Sequence, residues 1–406
     1  MLGAVVALLV LASLAGMWVL RPTGHGRPTV PGASSGATYL SGVVGSLTPL
    51  DCSQMGAAPA KGSAGVAGSG QCATAMVRLD NATTISIDVP PEVVRAGVGT
   101  AVVVMKVPSQ SGSPYAYYDL DRGKPLVLLA LLFCVVVVGV ARWRGLRALV
   151  GLGVAAVVVT KFLLPALLEG HDPVALGLAT SGAIMVVVLY LAHGVTLRTT
   201  TALLGTMVGV GITAGLGVAA VAAAHLTGVS NDDNQALQVV AQQLDLSNLL
   251  TCGIILAGLG ILNDVTITQS SAVWELWELA PGIGPRRLYA QAMRIGRDHI
   301  ASTVYTVVFA YAGAALPVLL LINLYDQPLW RTLTSLDIGE ELVRTMAGGV
   351  GLVLSVPATT ALAVLVVSSI RAEGSWAPVS GGVTADEVLP GTRRARRGHG
   401  SRRRRR

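Results

Sequence analysis

The chain has 406 residues, of which 52% are hydrophobic and only 13% are charged, whereas a soluble globular protein carries about 25% charged residues. This composition excludes an ordinary soluble enzyme and a disordered chain, and it predicts a multi-pass membrane protein. The net charge of +7 depends on nine arginines in the last fourteen residues, Arg393 to Arg406, so nucleic-acid binding by the body of the protein is not expected.

Apolar stretches long enough for helical spans recur along the chain. A helix that crosses the hydrocarbon core needs about 20 apolar residues, and about eight stretches approach that length. They are Leu2–Leu20, Pro125–Ala141, Leu146–Leu164, Val174–Ala192, Ala202–His225, a stretch that begins at Leu249, Ile300–Ile322 and Met346–Ile370. We therefore expect a mainly α, integral membrane helical bundle of about eight transmembrane helices, seven of them in a membrane domain at 125–371. Residues 1–20 are either a cleaved signal peptide or, as their length favours, an uncleaved anchor.

Arginines in alternate loops predict the orientation. They follow the second, fourth, sixth and eighth stretches, so these loops, both termini and a disordered tail at 372–406 are expected on the cytoplasmic side of the cell membrane. After the sixth stretch, Leu288, Ala292 and Ile295 form the apolar stripe of an amphipathic helix expected to lie on the inner leaflet. The arginines of this helix and of the tail are expected to contact anionic lipid; those of the helix are Arg286, Arg287, Arg294 and Arg297.

Residues 21–124 form the one water-soluble segment. The alternating runs Ala73–Leu79, Thr84–Val89 and Thr100–Val107, together with Ala37–Leu47, predict a small β-barrel or sandwich outside the membrane, between the first and second helices. Cys52 and Cys72 lie in this segment and are a plausible disulfide there. Three tyrosines before the second stretch fit an aromatic belt at the membrane interface: Tyr115, Tyr117 and Tyr118.

The sixth stretch carries the most informative polar residues. Leu249–Leu262 supplies about 14 apolar residues, or about 21 Å of helix, whereas the hydrocarbon core is about 30 Å thick. The polar run Asn263–Ser271 is then expected to lie partly in the membrane, with Asp264 handling protons or cations in a polar vestibule. Alternatively, the helix ends near Leu262 and Asp264 caps a separate cytoplasmic helix.

Polar and small residues on two other stretches predict what surrounds this run. Asp298, Ser302, Tyr305 and Thr306 share one face of the seventh stretch, and we expect that face to meet Asn263–Ser271. His299, beside Asp298, either titrates near neutral pH or belongs to an interfacial pair. The expected polar path is lined by Asn263, Asp264, Thr266, Gln269, Asp298, His299, Ser302 and Thr306. The fifth stretch carries two ladders of small residues for close helix packing: Gly205, Gly209, Thr213 and Gly217, and Gly211, Gly215 and Ala219.

Several longer motifs resemble the YibE/F-like family of bacterial membrane proteins. In chain order they are Tyr117–Arg122, Leu191–Gly194, Thr199–Thr206, Gly258–Glu275, Met293–Tyr305 and Ala310–Pro317. The resemblance covers about Tyr115–Val366 and implies a multi-pass integral membrane protein with an N-terminal outer segment, but it implies little about activity. It also adds weight to Asn263, Asp264, Asp298 and His299, which fall inside these motifs.

Two functions fit these features. The first is a permease or channel-like protein for a small solute or ion, with Asp264 as the protonatable or cation-coordinating group. The second is an envelope assembly or scaffold protein that acts through its outer domain. The sequence has no P-loop, GxSxG, HExxH, zinc or haem motif, so no enzyme, cofactor or metal is expected; an intramembrane enzyme would have only His299 and Ser302 to work with. Association into a homo-oligomer stays open.

Overall fold

A computed structural model describes residues 2–24, 38–52, 71–106, 114–324 and 328–373 of the chain. The Arg-rich run Arg393–Arg406, and Ala37 and Val107 at the ends of two predicted strands, lie outside these residues. The first helix, α1 (Leu2–Val19), packs against the helix at Pro173–His193. The chain that follows α1 is fixed by two hydrogen bonds, because Thr23 N and Gly24 N each donate to the Glu169 carboxylate at 2.7 Å.

The domain between α1 and the helical bundle is one antiparallel sheet. Its elements are β1 (Thr38–Leu50), β2 (Cys72–Leu79), β3 (Thr84–Val89), the short helix α2 (Pro91–Ala96), β4 (Ala101–Lys106) and β5 (Tyr115–Leu120). The strand order is β3-β2-β1-β4-β5, and β3 also approaches β5, so the sheet curls into a half-barrel. Alternate side chains such as Val44, Val77 and Val104 fill its inside and are at most 1% exposed. The predicted β-rich domain therefore has its own apolar core.

The strand β5 was missed because its tyrosines were interpreted as an interfacial belt. Tyr117 is instead buried in the sheet, where its hydroxyl donates to Glu92 Oε1 at 2.6 Å. Burial and the neighbouring Glu92 carboxylate raise the pKa of Tyr117. Tyr118 packs edge-on against Tyr39, with ring centroids 4.8 Å apart. The belt interpretation is therefore wrong for Tyr117, which holds α2 to the sheet.

A disulfide joins Cys52, just after β1, to Cys72, the first residue of β2. The sulfur atoms are 1.98 Å apart and the Cα atoms 5.1 Å apart. The disulfide is the one that the sequence analysis considers plausible. Because the bond lies where β1 and β2 begin to pair, it keeps the long connection between them from separating the strands.

Replacing both Cys52 and Cys72 by Ala is expected to lower the stability of the sheet by about 3 kcal/mol, because a loop of this length then regains its freedom in the unfolded state. Hydrogen exchange of β1 and β2 in the full-length protein would measure the loss. Cys134→Ala, at a free cysteine of the bundle, is the control and should leave exchange of the sheet unchanged. Equal exchange in the double variant and the wild type would contradict the prediction.

The rest of the chain is helical. The elements are α3 (Gly123–Val158), a π-helical turn (Val159–Leu163), α4 (Leu164–Leu168), α5 (Pro173–His193), α6 (Leu197–Ala223), α7 (Asp232–Val240), α8 (Leu246–Leu279), α9 (Pro285–Ala314), α10 (Leu316–Leu324), α11 (Leu329–Leu333) and α12 (Leu336–Glu373). Five helices among the described residues are long and apolar enough to cross a membrane: Gly123–Leu168, Pro173–His193, Leu197–Ala223, Leu246–Leu279 and Leu336–Ile370. About eight crossings therefore stay a prediction. The apolar stretch Ile300–Ile322 does not form one such helix, because the helix is interrupted at Ala315, between α9 and α10.

The long helix α3 is bent sharply at Arg142, whose φ of 53° and ψ of −133° are not helical. The bend separates the two predicted stretches Pro125–Ala141 and Leu146–Leu164. A Cβ on Gly145 would lie 2.5 Å from the carbonyl oxygen of Val137, eight residues earlier, whereas eight residues of straight helix span about 12 Å. The chain therefore doubles back here, and only glycine fits at position 145.

Contacts along α6 show how the central helices run. From the start of α6 to its end, Gly205 and then Gly209 meet Thr359 and then Ser355 of α12, while Gly209 and then Gly217 meet Leu262 and then Thr251 of α8. The partner numbers fall as α6 advances, so α8 and α12 are both antiparallel to it. We call the end of the bundle near Arg198, at the start of α6, the arginine end. The opposite end, near Glu169, is the β-domain end.

Glycines on one face of α6 let these helices touch. A Cβ on Gly209 would lie 2.7 Å from Leu262 Cδ2 of α8, and one on Gly205 would lie 2.8 Å from Thr359 Cβ of α12. The second ladder differs, because a Cβ on Gly211 or Gly215 would meet nothing within 4 Å. Close packing of α6 on α8 and α12 therefore uses the first ladder, and we call this contact surface the seam.

Gly205→Ala is expected to destabilise the bundle by about 1–3 kcal/mol, because the new methyl group overlaps Thr359 of α12. Thermal unfolding in detergent micelles would measure the loss. Gly211→Ala is a matched control on the same helix and should be neutral or stabilising by up to about 1 kcal/mol, since it adds helix propensity without a clash. Equal unfolding temperatures for the two variants would contradict close packing at the seam.

Candidate functional site

The helix α8 passes through the predicted polar run without a break. It extends from Leu246 to Leu279, and its N-cap is Asp245, whose side chain accepts from Asn248 N at 3.1 Å. The alternative in which a helix ends near Leu262 and Asp264 caps a new one is therefore wrong. Asp264 lies inside a continuous helix, between the buried residues Leu262 and Val265.

Helical periodicity sends the polar residues of α8 in different directions. Thr266 and Gln269 point into the bundle and are at most 3% exposed. Asp264 lies on the opposite side, and 74% of its side chain is exposed. Asn263 is between the two, and its Oδ1 is buried without a hydrogen-bond partner among the described residues. The predicted path residues of α8 thus separate into a buried group and an accessible one.

The buried group joins α8 to three other helices. The Thr266 and Thr206 hydroxyls are 2.6 Å apart, which links α8 to α6. Gln269 Nε2 donates to the carbonyl oxygen of Ala292 in α9 at 3.0 Å and to Thr360 Oγ1 in α12 at 2.7 Å. Because such bonds satisfy polar groups that would otherwise be costly in the interior, Thr266 and Gln269 hold the arginine end of the bundle together.

Further hydroxyls continue along the seam toward the β-domain end. Thr359, Ser355, Thr213 and Thr251 follow one another between α6, α8 and α12, and each is at most 1% exposed. The Oγ1 atoms of Thr213 and Thr359 have no hydrogen-bond partner in the part of the chain that the structure describes. Buried hydroxyls in folded proteins are usually satisfied by protein or by ordered water, and Thr180 and Ser181 of α5 also lack a partner among the described residues.

The accessible group lines a cleft at the arginine end with a volume of about 840 Å³, which we call the arginine cleft. Asp264 is on its wall, together with His193 at the end of α5. Three arginines complete its charged lining: Arg144, Arg147 and Arg198. Asp264 Oδ2 lies 4.0 Å from His299 Nε2 on α9, so the two groups form an ion pair only when the histidine is protonated. Asp264 and His299 are thus brought together by the structure, with the Asp264 side chain exposed and His299 Nε2 buried.

The remaining predicted residues lie elsewhere. Asp298, Ser302 and Thr306 are exposed on the side of α9 that faces away from α8, and the two hydroxyls donate to backbone carbonyls of α9 itself. The side of α9 that meets α8 carries Ala292 and Gly296 instead; a Cβ on Gly296 would lie 2.9 Å from Gln269 Oε1. The shared face of Asp298, Ser302 and Thr306 therefore does not meet Asn263–Ser271, because the small residues of α9 occupy that contact.

The predicted surface helix at Arg286–Arg297 is the first half of α9. Leu288 and Ala292 are at most 1% exposed and pack with side chains of α8 and α12, whereas Ile295 is 44% exposed. The segment is thus part of a longer helix that packs on the bundle, and its position at the inner leaflet stays a prediction. Its arginines are exposed, as expected of the polar face: Arg286, Arg287, Arg294 and Arg297.

An acidic residue at the β-domain end was missed. Glu340 is 3% exposed; its Oε2 accepts from the Ser230 hydroxyl at 2.7 Å, and its Oε1 has no partner among the described residues. It lines a pocket of about 270 Å³ together with Asn234 and Arg344, which we call the Glu340 pocket. The sequence around Glu340 reads as a mixed loop, because charged residues precede the apolar part of α12. The one pattern in the sequence that points to Glu340 is its spacing of four residues from Arg344, which places the two side chains on the same face of a helix.

The helices that carry these features match a known protein family. A family model described as "YibE/F-like protein" matches residues 129–369, which is more than half of the chain. The chain belongs to the YibE/F-like family. The YibE/F-like region begins in α3 and ends in α12, so it contains the arginine cleft, the seam and the Glu340 pocket but not the β half-barrel. No curated protein and no solved structure matches the chain at a significant level.

Gln269→Leu is expected to destabilise the YibE/F-like bundle by about 1–3 kcal/mol, because it removes two buried hydrogen bonds at once. Thermal unfolding in micelles would measure the change. Thr268→Val is the control, since its hydroxyl is exposed and bonds only the carbonyl oxygen of Asp264 on the same helix. A loss from Gln269→Leu no larger than that from Thr268→Val would show that the buried bonds do not stabilise the bundle.

Proposed function

We propose that this YibE/F-like protein is a permease or channel-like protein for a small ion or solute, and that it is not an enzyme. The path runs from the Glu340 pocket along the seam between α6, α8 and α12, and it then passes between α6 and α8 to the arginine cleft, because Asp264 lies on the side of α8 that faces away from the seam. The observation that carries the proposal is the pair of buried, unpartnered hydroxyls of Thr213 and Thr359 between these two sites. Leaving such a group unpaired costs about 1–3 kcal/mol, and an ion or water that enters the seam would supply the missing partner.

Because α8 is continuous, Asp264 is expected to lie within the bilayer and not in solvent outside it. A crossing of about 20 residues that begins near Leu249 ends near Thr268, so the Asp264 carboxylate falls in the half of the bilayer nearer the arginine end. A carboxylate at that depth needs water, a proton or a cation, and the arginine cleft gives access to one. From the arginines of alternate loops, we propose that this end and both termini are cytoplasmic, in the cell membrane.

The seam is closed in this conformation. Leu262, Leu352 and Val356 are at most 1% exposed and lie between the hydroxyls of the seam. Apolar constrictions of this kind stop ions until the helices separate and water enters. Pro357, which removes one backbone hydrogen bond from α12, lies beside these residues and gives α12 a place to bend.

Asp264→Asn is expected to lower flux through reconstituted vesicles at least tenfold while membrane insertion is unchanged, because the amide can neither release a proton nor attract a cation. Fluxes of protons, Na⁺ and K⁺ would be followed with entrapped dyes. Asp298→Asn is the matched control, since Asp298 is exposed on the far side of α9. It should keep flux within twofold of the wild type.

A second variant tests the constriction. Leu262→Ala removes side-chain volume at the centre of the closed seam, so it should raise the resting flux. Wild-type flux in both Asp264→Asn and Leu262→Ala would refute the proposed path. Loss of flux in Asp298→Asn alone would favour the path along α9 that the sequence indicates.

The alternative is a scaffold that acts through the outer domain. The half-barrel has its own core and disulfide, and it exposes the Tyr39 ring and Met76 on its outer surface. Exposed aromatic residues of this kind are common at protein interfaces. Deletion of residues 38–120 would abolish a scaffold function and spare a permease, whereas Asp264→Asn would do the reverse.

We also propose that the arginines of α9 contact anionic lipid. They are exposed at the arginine end and have no acidic partner within 4.0 Å in the described ranges. Each would contribute about 1 kcal/mol near a negatively charged leaflet.

A further inference from the structure

The arginine cleft has more positive charge than its own acid neutralises. Arg144, Arg147 and Arg198 line it, and Asp264 is the one carboxylate that the described residues contribute to its lining. Arg198 has partners outside the cleft, because its guanidinium lies 3.5 Å from Glu275 and 3.8 Å from Glu278. Arg144 and Arg147 are exposed, and no carboxylate lies within 4.0 Å of either in the part of the chain that the structure describes.

The cleft also has the size and lining of a ligand site. Its volume of about 840 Å³ lies within the roughly 300–1,000 Å³ that is usual for small-molecule pockets. Ile267 and Leu197 supply an apolar wall, and Trp274 stands beside them. The Trp274 Nε1 donor has no acceptor among the described residues. The lining thus combines free guanidinium donors with apolar surface.

A phosphate monoester matches this combination. Its dianion matches the two positive charges of Arg144 and Arg147, the arginines of the cleft that have no acidic partner among the described residues, and its oxygens accept paired hydrogen bonds from planar guanidinium groups. A carboxylate carries half that charge and would leave one arginine of the cleft without a counter-charge. We propose that the arginine cleft binds a phosphate monoester whose organic part is apolar, with the phosphate at Arg144 and Arg147 and the apolar part against Ile267 and Trp274.

Such a group has two sources, a lipid headgroup and a soluble phosphate ester. Both present the same chemistry to the arginines, and the arginine end is where either would arrive if it faces the cytoplasm. Binding requires only the cleft and is independent of whether the seam conducts.

The experiment uses the full-length protein in nanodiscs and has two arms. In the first, the discs contain only phosphatidylcholine and are titrated with 1-naphthyl phosphate by calorimetry. In the second, the discs contain phosphatidic acid and phosphatidylserine in equal amounts, and native mass spectrometry counts the molecules of each that stay bound. Saturable binding in the first arm identifies a soluble source, and preference for phosphatidic acid in the second identifies a lipid source.

The double variant Arg144→Gln/Arg147→Gln should weaken naphthyl phosphate binding at least tenfold, or abolish the preference for phosphatidic acid. The reason is that the charge-assisted hydrogen bonds from the two guanidinium groups to the phosphate are lost. The control Arg78→Gln/Arg95→Gln removes the same charge from exposed positions of the β half-barrel, outside the cleft, and should change either readout less than twofold. Equal losses in the two double variants, or no saturable binding and no preference in the wild type, would overturn the proposal.

Asp264→Asn provides an opposite test. Removing the negative charge from the cleft wall should tighten naphthyl phosphate binding about threefold or more. Weaker binding in Asp264→Asn would overturn the proposal. The same variant loses flux if the proposed path is correct, so the failure of one idea is distinguishable from the failure of the other.

Discussion

The close approach of α6 to α8 and α12 is the constraint on which the rest of the bundle depends. Glycines at positions 205, 209 and 217 bring the backbones together, and threonines and serines of the partner helices fill the space that the missing side chains leave. Lipid offers no hydrophobic force between helices, so dispersion contacts and short hydrogen bonds must hold them. This packing buries a line of hydroxyls, two of which have no hydrogen-bond partner among the described residues.

The same packing decides which polar groups are structural and which are accessible. Thr266 and Gln269 are drawn into bonds with α6, α9 and α12, whereas Asp264, on the other side of the same helix, opens to the arginine cleft. The two ends of the seam differ in charge. In the described part of the chain, one has a buried glutamate whose Oε1 lacks a hydrogen-bond partner, and the other has three arginines and one aspartate in its lining.

The two parts of the chain differ in how they are built. The YibE/F-like region, residues 129–369, contains every feature of the seam, whereas the half-barrel lies outside that match and has a separate core closed by a disulfide. The outer domain is tied to the bundle by covalent continuity at α1 and α3, and the segment after α1 is anchored by the Glu169 carboxylate.

The sequence by itself determined the membrane character, the apolar helices, three of the strands closely and the pairing of Cys52 with Cys72, because apolar length and strand alternation are local patterns. It also indicated the packing ladder at Gly205 and Gly209. The direction of side chains on α9 was decided only by the tertiary structure. Asp298, Ser302 and Thr306 share a face as their spacing requires, yet that face is exposed because Ala292 and Gly296 fit closer to Gln269.

The same reason explains Glu340 and Arg144, whose roles no local pattern shows. Glu340 is buried because Ser230, more than one hundred residues earlier, lies against it, and Arg144 reaches the cleft only because the chain doubles back at Arg142. Spacing along one helix determines which residues share a face, but it cannot determine which neighbour that face meets. That choice depends on the combined fit of all the helices, and only the folded bundle contains it.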